Sequence, residues 1–361
     1  DSYPIGFLSD RLEATAEHKA RYLQQGDPDM QAFHHDLYRA VGRDNRWWVM
    51  EQQPGPVNWA PFNPAPLPGM VRLWTWEAFA HGAEVVSYFR WRQAPFSQEQ
   101  MHAGLKRPDN APAAALSEAS QVAAEISDMA EIALAQADVA LVFDYPSEWA
   151  WQVLPQGKNF TYFDLMLDTY RALRRAGLSV DIIPPSTKDL SHYKLVLAPG
   201  LASLPASLQE ALDQTTCLVG PRAGAVTDEL CIPNPMGPNL TGLDMTVTRV
   251  ESLPPHHTRR VAGGGTVQKW AETLEGRAKT LLSLESGAPI LVHEGGMHYL
   301  GGWPDETLWH RIVGILAETC GLQMQHLPEG VRVRDTATHR FYFNYGPEMV
   351  RFNEIDLPPA G

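Results

Sequence analysis

The run Val139-Ala140-Leu141-Val142-Phe143 constrains the fold more than any other stretch of the chain. Five consecutive apolar residues between two aspartates suit a strand buried on both faces. Such strands belong to parallel sheets covered by helices on each side. The residues that follow meet that demand. A helical stretch over 161–176 ends at Gly177, and strands follow over 179–183 and 195–198. A helix over 206–213 then leads into a strand over 217–219. This alternation predicts an open, doubly wound α/β sheet. Residues 220–243, rich in Pro, Gly and Asn, read as loop. A strand over 244–250, a polar loop over 251–266, a strand near 289–293 and a helix over 306–319 complete a unit assigned to residues 138–320.

Residues 1–136 alternate in a related way. Residues 1–13 read as loop, and helices are expected over 14–24 and 29–41. In the second of these Met30, Phe33, Leu37 and Val41 recur at three- and four-residue spacing, and Gly42 closes the helix. A strand over 47–51, a helix over 70–81, a strand over 84–89 and a helix over 116–136 follow, with 111–115 as a short Ala/Pro linker. Residues with chemical potential come after each strand. That order is the closing arc of a (β/α)8 TIM barrel, with the stub of a third strand at 1–3. A whole barrel needs about 250 residues, so residues 1–137 are expected to be its C-terminal part. Residues 321–361 hold two alternating stretches, 330–334 and 339–345, and read as the start of a small antiparallel β domain. The opening Asp1-Ser2-Tyr3-Pro4 is neither a Met start nor a signal peptide, and the chain reads as a piece of a longer one.

A net charge of −13 argues against non-specific binding to nucleic acid or to an anionic membrane. The 44% hydrophobic content supports a large core and not disorder. Three scattered cysteines, Cys217, Cys231 and Cys320, make neither a disulfide framework nor a zinc motif. That cysteine usage makes a reducing compartment, the cytoplasm, the expected setting, and with no apolar run near 20 residues no transmembrane helix is expected. Eleven Trp and eleven Tyr favour a sugar-type ligand, because aromatic faces pack on the C–H faces of pyranose rings. Most of them serve equally well as core.

The acid that stands out is Glu51, where the strand run Trp47-Trp48-Val49-Met50 gives way to Gln52-Gln53-Pro54-Gly55. A carboxylate at a strand's C-terminal end lies on the catalytic edge of an α/β barrel. The plainer alternative is a loop carboxylate or one half of an ion pair. Tyr3, Trp59 and Phe89 fall at the same edge, where each could also be ordinary packing. Glu99 and His102 lie three apart, and on one helical turn they would share a face. Without further context they could equally be a solvated pair.

The run Met50-Glu51-Gln52-Gln53-Pro54-Gly55-Pro56-Val57-Asn58-Trp59 resembles the nucleophile segment of the family 42 glycoside hydrolases, the β-galactosidases. Arg72-Leu73-Trp74, Ala80-His81-Gly82-Ala83 and Tyr88-Phe89-Arg90-Trp91-Arg92-Gln93 carry the same resemblance, as do Glu99 and His102. Asp1-Ser2-Tyr3-Pro4 is similar to the end of that family's sixth barrel strand. The resemblance implies a TIM barrel, a flavodoxin-like trimerisation domain and a small C-terminal β domain, assembled as a homotrimer that acts on β-galactosides. It implies Glu51 as the nucleophile, Tyr3 as a residue whose hydroxyl orients it, Trp59 and Phe89 as walls of the sugar subsite, and Glu99 and His102 as hydroxyl binders. No organic cofactor and no metal are implied for this chain.

Retaining glycosidases need a second carboxyl about 5–5.5 Å from the first. The family's acid/base glutamate follows an asparagine, and residues 1–137 contain no Asn-Glu pair. That residue is therefore expected outside this sequence. The competing reading is a catalytically inactive fragment serving as an oligomerisation or sugar-binding unit. A weaker one, an amidotransferase-like enzyme in 138–320, lacks a cysteine in the turn after the 217–219 strand. Gly263-Gly264-Gly265 lacks the context of a phosphate loop, and His256-His257 reads as polar loop.

Overall fold

A computed structural model of the chain describes residues 2–129, 131–158 and 160–361. The chain divides into two units, one of Asp1–Gln136 with His326–Gly361 and one of Ala137–Gln325.

The first unit is built on two parallel strands, Trp48–Gln52 and Val85–Tyr88. Parallel neighbours need a crossover, and the helix Met70–Ala80 supplies it. Trp47 and Val49 pack with Ala78, Phe79, Ala83 and Val86. Trp48 and Met50 alternate onto the opposite face and are exposed. Ser2 joins the sheet by a parallel bridge to Gln52 and marks the expected third strand, although Asp1 lies outside the described residues.

Three segments of this unit depart from expectation. Residues 4–10, expected as loop, form the helix Pro4–Asp10, with proline where a helix loses nothing by lacking an N–H. The helix expected over 14–24 is the single turn-and-a-half Ala16–Arg21, started by Thr15, whose hydroxyl accepts from the His18 N–H. The helix expected over 116–136 spans Ala114–Asp128 and stops. Beyond it the backbone finds other partners. The Ala337 N–H donates to the Ala133 carbonyl at 2.8 Å, and the Thr338 hydroxyl donates to the Glu131 carbonyl at 3.2 Å. Those bonds outweigh the helix propensity of the run. Leu134 packs instead against Gly82, where a Cβ would come within 2.7 Å of it.

Residues 326–361 form two hairpins, Val331–Asp335 with Arg340–Asn344 and Val350–Phe352 with Ile355–Leu357. The second hairpin was not anticipated, because two three-residue strands carry too little alternation to register. Buried polar links hold the first hairpin to the helices. Arg332 makes a two-pronged bond to Asp29, at 2.6 and 2.7 Å. Arg334 lies 3.6 Å from Asp36. Tyr345 donates to Glu77, and the Tyr22 hydroxyl donates to Glu329 at 2.6 Å. Burial alone would raise the Asp36 carboxyl; the charges of Arg334, His81 and Arg39 overcome it and hold that group far below the usual range.

The second unit carries a seven-stranded sheet in the order Val180–Ile183, Val139–Val142, Leu195–Ala198, Thr216–Val219, Met297–Leu300, Pro289–Glu294, Lys279–Ser283. The first five run parallel and the last two antiparallel. The order of the first four is the doubly wound, flavodoxin-like one. Val139–Val142 and Leu195–Ala198 are buried throughout, as their unbroken apolar runs require. The helix Tyr162–Arg175 starts at Thr161, whose hydroxyl accepts the Asp164 N–H. The helix Glu306–Cys320 ends at Gly321, at φ 69°, a conformation that glycine adopts without a steric cost.

A second, antiparallel sheet joins Met245–Ser252, Thr266–Gly276 and Gly302–Pro304, with Arg259–Arg260 alongside. The strands at 266–276, 279–283, 297–300 and 302–304, and the helix Tyr145–Val153, were not expected from sequence. Part of the region expected as polar loop, 251–266, is strand. Charges in 266–276 hide its strand character, because Glu272 is buried. It accepts hydrogen bonds from Trp270 Nε1, the Tyr299 hydroxyl and the Arg222 N–H, at 2.8 to 2.9 Å. Among the described residues no helix is long and apolar enough to cross a membrane.

Replacing Arg332 with methionine removes one half of a buried, two-pronged ion pair and leaves the Asp29 carboxylate uncompensated. The expected cost is about 3–5 kcal/mol of unfolding free energy, read as a lower urea midpoint at an unchanged slope. An unchanged midpoint would show that the hairpin is not held by this pair.

Candidate active site

Glu51 is half-buried at the end of the Trp48–Gln52 strand. Its backbone is gripped from both sides. The Ser2 N–H donates to the Glu51 carbonyl at 2.7 Å, and the Gln53 N–H donates to the Ser2 carbonyl at 3.0 Å. On the other edge the Phe89 N–H donates to the Gln52 carbonyl at 3.1 Å. The pairing register shifts between Val49 and Gln52, and such an irregularity re-aims the side chains around it. Gln53 Nε2 donates to Glu51 Oε2 at 3.5 Å, a long contact.

Phe89 begins the loop after the Val85–Tyr88 strand, and its peptide bond to Arg90 is cis. Its ring meets His102 edge-on, with centroids 5.5 Å apart. The Arg90 guanidinium lies 4.5 Å from the Phe89 centroid and donates to Glu99 Oε2 at 2.6 Å. Glu99 and His102 do not sit on a helix. They are the ends of a tight turn closed by the His102 N–H donating to the Glu99 carbonyl at 3.0 Å. Glu99 is at φ 58°, in the left-handed region that a residue with a side chain seldom adopts. The bond to Arg90 therefore holds an already constrained carboxylate.

This loop is tied to the one that follows Glu51. The Ala103 N–H donates to the Pro56 carbonyl at 2.8 Å. The approach is close at Gly55, where a Cβ would meet the Ala103 Cβ at 2.8 Å. The fold thus brings Glu51, Phe89, Glu99 and His102 to one strand-end region. Burial lowers the His102 imidazole, and its position reflects Glu99, Arg90 and Glu51 together. At neutral pH it is uncharged, with one ring nitrogen to donate and one to accept, which suits a hydroxyl ligand.

Trp59 forms a second cluster with Tyr3, Phe7 and Arg11. Its ring stands edge-on to Tyr3 at 6.2 Å, tilted against Phe7 at 5.8 Å, and 5.9 Å from the Arg11 guanidinium. Gly6 lies under it, and a Cβ there would come within 2.6 Å of the indole. Tyr3 is fully buried behind Trp59, and its hydroxyl donates to the Pro64 carbonyl at 3.3 Å. The bond expected from Tyr3 to Glu51 is therefore replaced by one to a loop carbonyl. The reason is geometric: the buried ring is wedged between Trp59 and Trp74, which direct it away from the carboxylate.

Two buried polar atoms here have no hydrogen-bond partner, Trp59 Nε1 and His102 Nδ1. Atoms of the second unit, Trp309 Nε1 and His298 Nε2 among them, share this state, so it does not by itself mark a site. Among the described residues no group of three or more His, Cys, Asp or Glu side chains could hold a metal ion. A groove of about 470 Å³, lined by Arg72, Trp76, Glu125, Phe341 and Phe343 among others, lies away from these residues. Of its two carboxylates, Glu125 already accepts from Arg72, Trp76 and Gln121; the other is Asp128.

Sequence reasoning missed the support of this site more than its members. The shelf under Trp59 comes from the helix read as loop, and Pro4 at its first position was the available signal. The Arg90 bond to Glu99 gives one of the loop arginines the ion-pair role that such residues commonly play. In the second unit Cys217 is wholly buried and its thiol is pushed up to about 12 by burial. That is core chemistry, and the turn after its strand, Gly220-Pro221-Arg222-Ala223-Gly224, holds no cysteine that could serve as an amidotransferase-like nucleophile.

The family 42 glycoside hydrolase model described as β-galactosidase matches residues 1–129, and the model described as β-galactosidase trimerisation domain matches residues 137–323. A β-galactosidase of Thermus thermophilus is 51% identical over 360 residues, covering 97% of this chain and 55% of that protein. One from Halorubrum lacusprofundi is 36% identical over 389 residues, covering 99% and 55%. The crystal structure of a β-galactosidase from the psychrophilic Marinomonas ef1 superposes with a TM-score of 0.94 at 45% identity, covering 98% of this chain and 56% of that one. The chain spans about half the length of the curated relatives it matches. With models matched across both units and one covering more than half of its residues, the chain belongs to family 42 of the glycoside hydrolases.

Proposed function

We propose that this chain carries the nucleophile half of a retaining β-galactosidase. Glu51 attacks the anomeric carbon of a terminal β-galactoside and forms a glycosyl-enzyme, which water then hydrolyses. The acid/base carboxyl comes from sequence outside these 361 residues. The observation that carries the reading is the gripped strand end: Glu51 is fixed between Ser2 and Phe89, with Glu99 and His102 delivered beside it. A nucleophile must be held this firmly for its approach to the anomeric carbon to be productive.

The remaining roles follow from chemistry. Glu99, fixed by Arg90, accepts protons from sugar hydroxyls, and neutral His102 pairs with another. Phe89 supplies an apolar wall. Trp59 offers its indole face to the pyranose. Tyr3 acts through Trp59, by packing behind it, and so shapes the subsite from the second layer. The 138–320 unit assembles three copies, and 321–361 is the start of a C-terminal β domain, whose hairpins pack within the first unit. All three cysteines are free, which fits a cytoplasmic protein. The alternative, an inactive oligomerisation or sugar-binding unit, describes the 361-residue chain taken alone.

In the full polypeptide, Glu51→Gln is expected to lower kcat on a chromogenic β-galactoside by about 1,000-fold or more with the circular dichroism unchanged. Activity within tenfold of wild type would remove Glu51 from the nucleophile role. Gly6→Ala places a methyl against the Trp59 ring and displaces it. KM is expected to rise about 3- to 10-fold, with kcat changed less than about twofold. An unaltered KM would separate Trp59 from substrate.

A further inference from the structure

The strand end that carries Glu51 rests on a buried polar layer made by Ser2, Gln31 and Gln52. Gln31 Nε2 donates to the Ser2 hydroxyl at 2.6 Å, and that hydroxyl donates to Gln52 Oε1 at 3.0 Å. Gln52 Nε2 returns to the Ser2 carbonyl at 3.1 Å. Gln52 thus holds both the side chain and the carbonyl of Ser2, and Gln31 holds the hydroxyl a second time. Bonds that run in one direction through a hydroxyl polarise one another in a buried setting. Two amides and a hydroxyl taken out of water would be costly without this mutual satisfaction.

Ser2 is also the residue that grips Glu51. Its N–H donates to the Glu51 carbonyl, and its own carbonyl accepts the Gln53 N–H. A displaced Ser2 would therefore turn the backbone on both sides of Glu51, and the carboxylate with it. Gln31 reaches Ser2 from the second residue of the helix Met30–Val41, whose start is itself fixed. Asp27 Oδ1 accepts the N–H groups of Asp29 and Met30 at 2.9 and 2.8 Å, and the Asp29 carboxylate is held by Arg332. The Gln31 amide is engaged through its nitrogen alone. Its Oε1 has no hydrogen-bond partner, and the second contact of Nε2, to His35 Nε2, is long at 3.4 Å. The one close bond of this side chain goes to Ser2.

We infer that Gln31 is a positioning residue for the nucleophile, acting on Glu51 through the hydroxyl and backbone of Ser2. The inference rests on the nucleophile reading of Glu51 given above. Gln31 makes no bond to the carboxylate. What it fixes is the line along which Glu51 meets the anomeric carbon, and a misplacement of about 1 Å at a reacting group can cost about 100-fold in rate. Recognition of the sugar by Phe89, Glu99, His102 and Trp59 does not pass through Gln31. Its loss should therefore fall on bond formation and spare binding.

The test is made on the full polypeptide with a 2-deoxy-2-fluoro-β-galactoside bearing a good leaving group. The limiting rate at which it labels Glu51 reads the aim of the nucleophile, and its half-saturating concentration reads binding. Gln31→Met keeps the length of the side chain and removes the donor. The labelling rate is expected to fall about tenfold or more, with the half-saturating concentration within about twofold of wild type and the circular dichroism unchanged. Ser2→Ala is expected to do the same. The double variant is expected to fall no further than the slower single one, because the two residues act in one chain of bonds. A smaller loss in Gln31→Met overturns the inference, as does a loss confined to the half-saturating concentration or a double variant in which the two losses multiply. Ser2→Ala removes a single oxygen and decides the matter if Gln31→Met does not fold: an unchanged labelling rate there overturns the inference as well. A wild type that is not labelled at Glu51 fails the nucleophile reading itself. A wild type labelled at Glu51, with Gln31→Met labelled as fast, removes Gln31 and leaves that reading standing.

Discussion

The backbone clamp at Glu51 is the constraint on which the site depends. A single strand end receives a hydrogen bond from Ser2 on one edge and, one residue later, from Phe89 on the other. Parallel pairing makes this possible, because parallel strands present their C-terminal ends at the same edge of a sheet. Residues far apart in the chain are thereby collected. Tyr3 leaves from one neighbour, Glu51 from the centre, and Phe89, Glu99 and His102 from the other. The helix Met70–Ala80 contributes no candidate site residue. Its part is to return the chain so that the second strand can lie parallel to the first, over the core of Trp47, Val49 and Ala78.

Around that clamp the polar groups divide by task. Structural pairs bring buried charges of opposite sign together: Arg332 with Asp29, and Asp36 among Arg334, His81 and Arg39. They anchor a hairpin whose strands, taken alone, are too few for stability. Site groups are incompletely satisfied. Trp59 Nε1 and His102 Nδ1 are buried without partners, Glu51 accepts one long bond, and Glu99 sits in a backbone region that costs about 1–3 kcal/mol to occupy. A carboxylate kept for packing would be expected to find its bonds, as Glu272 does deep in the second unit.

How much of this was legible in sequence depended on how apolar each segment was. The strands at 139–142 and 195–198 announce themselves, because burial on both faces leaves no polar residue to interrupt them. The strand at 266–276 does not, since Lys269, Glu272 and Glu275 break its pattern and only the folded chain provides Glu272 with its three donors. The helix Tyr145–Val153 was overlooked for a different reason: its apolar residues fall on more than one face, which blurs the 3.6-residue rhythm. Of the site, the identity of Glu51 and its companions came from local motifs, and the fold does bring Phe89, Glu99 and His102 to its strand end. The direction of the Tyr3 hydroxyl was not readable, because Pro64 and Trp74 are distant in sequence and set it only in three dimensions.

The central claim is a covalent one, that the glycone passes through a bond to Glu51. The most direct measurement uses a 2-deoxy-2-fluoro-β-galactoside with a good leaving group, incubated with the full polypeptide. Fluorine at C2 destabilises the oxocarbenium-like transition state and slows breakdown of the glycosyl-enzyme, so the intermediate accumulates. Peptide mass spectrometry should then find one added deoxyfluoro-galactosyl group, on the peptide holding Glu51, released on addition of an acceptor. The same label on another carboxylate, or turnover with no covalent intermediate, would contradict the account.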